Sequence, residues 1–427
     1  MDEIGTHIGS LIDKRITNSN WIEFLIKSVP FLMGIFIFFN QYPHTTAIKE
    51  ICFYLSIVIV TILISLKKID FSLKTPLLFP FGFFILWSFL SIFFAFDKEN
   101  SIHDFYSHLI RYVILFYILV NFYNSEKRLV YLSRIIILSS TVFAIGGLIY
   151  FYFILGNSLS GEIQQFTFVQ TPFAVIGVTN VFSIILALNH LKNNGQFPIK
   201  VIFSICVLAM FIAVIMTQER SSLLAILLAT IVIFYKNKKW MFVFVILMLL
   251  ISAVSPIENR LQSFNPRKMY TSVQKDIRIK IDYLTLEVIK ENPIIGIGFG
   301  LETYSKLDLN RYQKKIPKEY QQKKIITDPH NMILDIAVRL GVVGLGFFFY
   351  IIFVFFKMCW NIIKCEKDNF LKNWGSCLAA SFIGVCTIGL FQPIFSHMPE
   401  VVLCIIFSMT NVVWQLNNEA ILAESGA

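Results

Sequence analysis

The sequence predicts an all-α, polytopic membrane protein of about twelve spanning helices with one large outward-facing loop. Three observations carry that expectation. Of 427 residues, 56% are hydrophobic and only 15% charged, which is more apolar side chain than a water-soluble core absorbs. Near-continuous apolar runs such as 76–96 and 201–217 approach the roughly 20 residues that cross about 30 Å of hydrocarbon. Basic residues also recur at every second connection between such runs, the pattern that keeps short loops on the cytoplasmic face.

In chain order the runs fall at 28–40, 51–66, 76–96, 108–123, 129–154, 166–190, 201–217, 223–235, 240–256, 332–356, 375–395 and 401–415. The connections assigned to the cytoplasm hold Lys14 and Arg15, Lys67, Lys68 and Lys74, Lys127 and Arg128, Lys192 and Lys200, Lys236, Lys238 and Lys239, and Lys357, Lys364, Lys367 and Lys372. The intervening short connections, at 97–100, 155–165 and 396–400, are acidic or neutral. Both termini are therefore expected in the cytoplasm, and the polar first twenty residues lack the apolar stretch of a signal peptide. Three regions follow: N-terminal spans over 1–256, a loop over 257–331, and C-terminal spans with a tail over 332–427. The net charge of +10 is accounted for by the cytoplasmic loops, so no nucleic-acid partner is expected. Most of the seven cysteines lie in or beside spans, so neither a disulfide framework nor a zinc site is implied.

The long loop reads as helical pieces. From Asp276 to Glu291 the apolar residues Ile277, Ile281, Leu284 and Val288 recur at helical spacing, which gives one face able to lie on the membrane or to pack on the loop's own core. Asn292 and Pro293 end that helix. Gly296, Gly298 and Gly300 follow at alternate positions, where glycine permits a tight turn or a close backbone approach. Farther on, Arg311, Lys314, Lys315, Lys318, Lys323 and Lys324 meet a single acid, Glu319. Such a stretch can dock phosphorylated sugars or rest on anionic headgroups.

The most informative residues close the loop. Asp328, Pro329, His330 and Asn331 run directly into an apolar stretch beginning at Met332. Asp328 suits a helix N-cap and Pro329 the first helical position, which places His330 in the first turn. Unpaired N–H groups and the helix dipole disfavour imidazolium there. A neutral histidine near pH 7 is what a general base requires, although residue type alone favours a structural hydrogen-bonder.

His330-Asn331, nine residues, Gly341, two residues and Gly344 resemble the motif of the bacterial O-antigen ligases, members of a superfamily that includes O-antigen polymerases. Two further stretches are similar: Glu219-Arg220-Ser221-Ser222, and Arg278 followed by Glu291 to Gly298. The resemblance implies a GT-C-like membrane glycosyltransferase in the bacterial inner membrane. It would move a glycan from undecaprenyl diphosphate to a lipid A-core sugar hydroxyl on the periplasmic side. His330 would be the catalytic base, arginines would hold the diphosphate, and no metal or cofactor would be needed. The residues agree with those roles. No Asp-x-Asp pair occurs, so guanidinium groups are the expected neutralisers of a diphosphate leaving group.

Arg220 stands in an outward turn. Arg278 is either a second clamp or the polar face of its helix, and Arg111 lies near the outer end of its span. Candidate acceptor contacts are Asn331, Lys314, Lys315, His397 and Glu400. Asp335 and Arg339, four apart, are expected to pair with each other. A polymerase using the same donor is the nearest alternative. A flippase or permease is the alternative from another class, and the lack of internal repeats opposes it.

Overall fold

The computed structural model describes residues 20–42, 44–156, 173–193, 196–217, 219–235, 277–364, 369–393, 395 and 398–425. It is 81% helix with no strand among the described residues, which settles the class as all-α. The helices are α1 Asn20–Phe39, α2 Thr46–Ser65, α3 Leu78–Phe93, α4 Lys98–Phe122, α5 Glu126–Ile154, α6 Phe173–Asn193, α7 Phe197–Met216, α8 Arg220–Phe234, α9 Ile277–Glu291, α10 Met332–Lys364, α11 Asn369–Gly389 and α12 Met398–Ser425. Eleven of the twelve expected runs coincide with a helix, and 240–256 lies outside the described residues.

Seven helices, α1, α2, α4, α5, α7, α10 and α12, are long and apolar enough to cross a membrane, while α3 and α8 are shorter apolar helices. α6 and α11 reach 21 residues each but are diluted by small and polar side chains. Their position explains the dilution. Every residue of α6 from 177 to 190 is buried, so no lipid-facing stripe is required of it. α11 packs on α6, α8 and α10 and buries Gly375, Ser376, Ala379, Ala380, Ser381 and Gly384, the small residues that let helix backbones approach closely in a bilayer. A Cβ added at Gly384 would stand 2.9 Å from Val181 Cγ1. The outer helices carry the complementary pattern: Ile202, Ile205, Leu208 and Ile212 on α7 and Phe83, Leu86, Leu90 and Phe93 on α3 are all exposed at helical spacing. Stripes of that size suit lipid and not water.

The described part of the loop builds a small core of its own. Leu284 and Val288 from α9 pack with Ile297, Tyr304, Leu309 and Tyr312, and Val338 of α10 closes the cluster. Of the two faces open to α9, the loop's own core is the one realised. Ile277, at its first turn, stays outside that core at 43% exposure.

What positions the loop is a break in α10. Gly341 adopts φ +66° and ψ −174° inside an otherwise continuous helix, a conformation confined to glycine. The break frees the carbonyls of the preceding turn, and backbone carbonyls inside a membrane need replacement donors. The 293–298 stretch and α3 supply them. Ile297 N–H donates to Val338 O at 2.9 Å and Gly298 N–H to Arg339 O at 3.0 Å. Trp87 Nε1 donates to Leu340 O at 2.9 Å. In return, Val342 N–H donates to Pro293 O at 2.8 Å. The alternate glycines therefore serve a close backbone approach: a Cβ at Gly296 would lie 2.4 Å from Arg339 O, and one at Gly341 2.1 Å from Ile294 O.

Candidate active site

His330 lies at the mouth of α10, but not in its first turn. The helix begins at Met332 and Asn331 is its cap: Asn331 Oδ1 accepts from Ile333 N–H at 2.9 Å and Leu334 N–H at 3.3 Å. Asn and Asp cap equally well, and the later residue won because the chain bends at Asp328 and again at His330 and Asn331 before the helix starts. The expectation that Asp328 caps the helix is therefore corrected by three positions. His330 is half-buried immediately before the cap. Its pKa is held below the ordinary histidine value chiefly by burial; nearby Asp328 raises it, and the positive charge of Arg278 lowers it. A neutral ring results, from burial and a neighbouring guanidinium rather than from the helix dipole.

The segment following α11 draws several sequence candidates together. Asn331 Nδ2 donates to Leu390 O at 3.3 Å. The next residue, Phe391, lies under the Arg278 guanidinium at 5.7 Å. The next again, Gln392, donates from Nε2 to Glu219 Oε1 at 3.0 Å. Glu219 precedes Arg220, the first residue of α8, and its carboxylate is held by Ser221 Oγ at 3.0 Å and Ser222 Oγ at 2.7 Å. α6 abuts this carboxylate so closely that a Cβ at Gly177 would stand 2.6 Å from Glu219 Oε2. Three consecutive residues thus tie the His330 bend, the Arg278 helix and the Arg220 turn into one cluster. Both arginines are exposed.

Other candidates sit elsewhere. Arg111 pairs with Glu50 on α2 at 2.8 Å and covers the Phe53 ring at 4.8 Å, so its guanidinium is engaged by side chains of a neighbouring helix. Glu400 is buried and accepts from or shares a proton with His108 Nδ1 at 2.7 Å. Lys315 pairs with Glu291, which also holds Arg311, while Lys314 is exposed. The Glu291 carboxyl is accordingly held below its usual range, first by its hydrogen bond from Lys315. Asn331 uses its side chain for the cap and for Leu390. Asp335 and Arg339 pair at 2.9 Å, as their spacing predicts. His397 lies outside the described residues.

Sequence reasoning gave no role to Glu219 or Gln392. An acid beside two hydroxyl residues in the short turn between two apolar runs was a readable signal for Glu219. For Gln392 none existed, since its contact spans 173 positions.

Residues 205–349 match the family profile described as O-antigen ligase. That stretch runs from α7 through the Arg220 turn, α9, the glycine segment and His330 to just past the break in α10. The chain is also similar to a candidate polysaccharide ligase of Rickettsia typhi, 24% identical over 406 residues that cover 86% of this chain and 90% of that protein. With seven helices long and apolar enough to cross a membrane, the chain is a multi-pass membrane protein whose residues 205–349 are similar to the O-antigen ligase family.

Proposed function

We propose that the protein transfers a glycan from undecaprenyl diphosphate to a sugar hydroxyl of lipid A-core at the periplasmic face of the bacterial inner membrane. The observation that supports the proposal is the Leu390–Phe391–Gln392 tie, which links the His330 bend to the Arg278 helix and to Glu219, the neighbour of Arg220. In the reaction, the acceptor oxygen forms a bond to the anomeric carbon of the glycan. The bond from that carbon to the diphosphate oxygen breaks, and undecaprenyl diphosphate departs with the electron pair. His330 takes the hydroxyl proton, the task for which a neutral imidazole is suited. Arg220 and Arg278 bind phosphate oxygens and neutralise charge as it develops, which planar guanidinium groups do in bidentate fashion. No metal takes part in this scheme, and Lys314 together with Glu400 remain the proposed acceptor-side groups.

Deleting the gene and resolving the cell's lipopolysaccharide on gels tests the assignment. Bare core with accumulation of undecaprenyl-linked polymer is the expected result. Core carrying a single repeat would instead identify a polymerase, and unaltered lipopolysaccharide would remove both.

A further inference from the structure

Between α2 and α4 runs a groove of about 290 Å³, bordered by the connection that leads from α2 to α3. Ile57 and Val60 of α2, Ile114 and Ile118 of α4, and Phe71 and Leu73 of the connection line it. It is not enclosed, since Leu73 is 54% and Ile114 37% exposed. Its size is close to the lower bound of roughly 300 Å³ for ligand clefts. An open apolar trough of that size seats a stretch of one acyl chain side-on, with the remainder of the chain in the bilayer. The connection beside it is fixed in place. Ser72 N–H donates to Asn121 Oδ1 at 2.7 Å and Asn121 Nδ2 donates back to Ser72 O at 3.0 Å, which clasps the connection to α4. Thr75 Oγ1 donates to Asn411 Oδ1 of α12 at 2.6 Å.

The charge beside the groove says what its occupant carries. Lys67 and Lys68 precede the lining residue Phe71 and Lys74 follows Leu73, with Asp70 the one acid between 66 and 77. Lys67 and Lys74 are exposed and Lys68 partly so, and none of the three forms an ion pair among the described residues. Lys67 holds φ +52° at the end of α2, where its N–H donates to Ile64 O and that of Lys68 to Leu63 O, both at 2.9 Å. Glycine usually takes that left-handed position, so a lysine stands there against backbone preference. The rule that keeps basic connections on the cytoplasmic face accounts for the lysines, but not for an apolar trough beside them. Basic residues next to a groove between spanning helices on that face are the pattern that holds anionic headgroups. We propose that the groove and connection bind an anionic phospholipid of the cytoplasmic leaflet, with one acyl chain between α2 and α4 and the phosphate on Lys67, Lys68 and Lys74. A zwitterionic lipid offers the same chain but offsets its phosphate with its own ammonium.

The test uses the full-length protein in detergent, with native mass spectrometry to measure bound lipid and a phosphatidylglycerol bearing a diazirine midway along one acyl chain to locate it. Phosphatidylglycerol should bind more tightly than phosphatidylethanolamine, and adducts should fall on 57–61 of α2 and 113–118 of α4. A lysine beside an anionic surface changes affinity about fivefold, so Lys67→Gln, Lys68→Gln and Lys74→Gln together should weaken phosphatidylglycerol binding roughly a hundredfold. Phosphatidylethanolamine should bind that variant as before, and Lys200→Gln, at an exposed position on α7, should alter neither lipid. Thr61→Trp, at an exposed lining position, fills the groove with every lysine in place and should abolish the adducts; if that variant fails to fold, Ile114→Trp serves instead. Equal binding of the two lipids, unchanged phosphatidylglycerol binding by the triple variant, or adducts as frequent on Ile202 and Ile205 of α7 as in the groove would overturn the proposal. So would displacement of the labelled lipid by undecaprenyl phosphate as readily as by phosphatidylglycerol. Binding is read here without any transfer assay, so the outcome is independent of the glycan chemistry.

Discussion

Replacing Gly341 by alanine isolates the device that sets the loop on the membrane body. The backbone at 341, with φ +66° and ψ −174°, costs a non-glycine residue about 1–3 kcal/mol. An added Cβ would also stand 2.1 Å from Ile294 O and 2.7 Å from Ile295 N. These are backbone atoms, so relief requires the two segments to part. Parting them breaks or weakens the bonds from Val342 N–H to Pro293 O and from Ile297 N–H to Val338 O, each worth about 1 kcal/mol net. The sum is about 3–5 kcal/mol. Gly346, five residues along the same helix, is the internal control, because a Cβ there meets nothing within 4 Å. Thermal unfolding of both variants in one detergent, with limited proteolysis of the 277–331 segment, reads the difference. Gly341→Ala should be strongly destabilised or opened at the loop, and Gly346→Ala should match wild type or exceed it slightly through lower backbone entropy. Equal stability of the two variants would refute the reasoning.

Three further outcomes follow from the site. Gln392→Ala removes the 3.0 Å bond to Glu219; at about 1.5 kcal/mol for a bond to a charged acceptor, transfer should fall roughly tenfold, and unchanged kinetics would detach that tie from function. Because burial and Arg278 lower the His330 pKa from its ordinary 6.5, the neutral base persists to lower pH. The acid limb of the rate profile should therefore lie below 6.5, and Arg278→Ala should move it upward by removing a positive neighbour; a limb that stays put would contradict the coupling. With guanidinium groups as the charge neutralisers, excess chelator should leave transfer intact, and specific rescue by magnesium or manganese would overturn the arginine clamp.

Much of the helical layout was legible because it depends on local pattern. Lipid imposes long apolar runs, and the runs at 51–66 or 332–356 announce helices whatever else the chain does. α6 and α11 fall at the runs expected over 166–190 and 375–395, yet are not among the seven helices long and apolar enough to cross a membrane. Their burial among other helices replaces lipid-facing residues by small and polar ones, so composition alone understates them. The loop helix α9 was legible in its 3–4 spacing, while the glycines at 296 and 298 left a tight turn and a close approach as alternatives and named no partner for the second. That partner, the broken turn of α10, depends on a backbone conformation at Gly341 that a hydropathy pattern does not record. At the site, the residues with distinctive chemistry, His330, Arg220 and Arg278, could be singled out. Leu390, Phe391 and Gln392 could not, since each acts through contacts with segments distant in the chain. Arg111 could be singled out as a charge within an apolar run, but the carboxylate of Glu50 that engages it lies on another helix.

The central claim is that His330 supplies the base for glycan transfer, and one reconstitution tests it most directly. Purified wild type and His330→Ala are supplied with the undecaprenyl-diphosphate-linked glycan and lipid A-core, and transfer is measured beside donor binding. General-base assistance is typically worth about 10²- to 10⁴-fold, so the variant should bind donor as wild type does while its transfer falls by that factor. Near-wild-type transfer by a folded His330→Ala protein would contradict the account and leave His330 as a residue of the bend before α10.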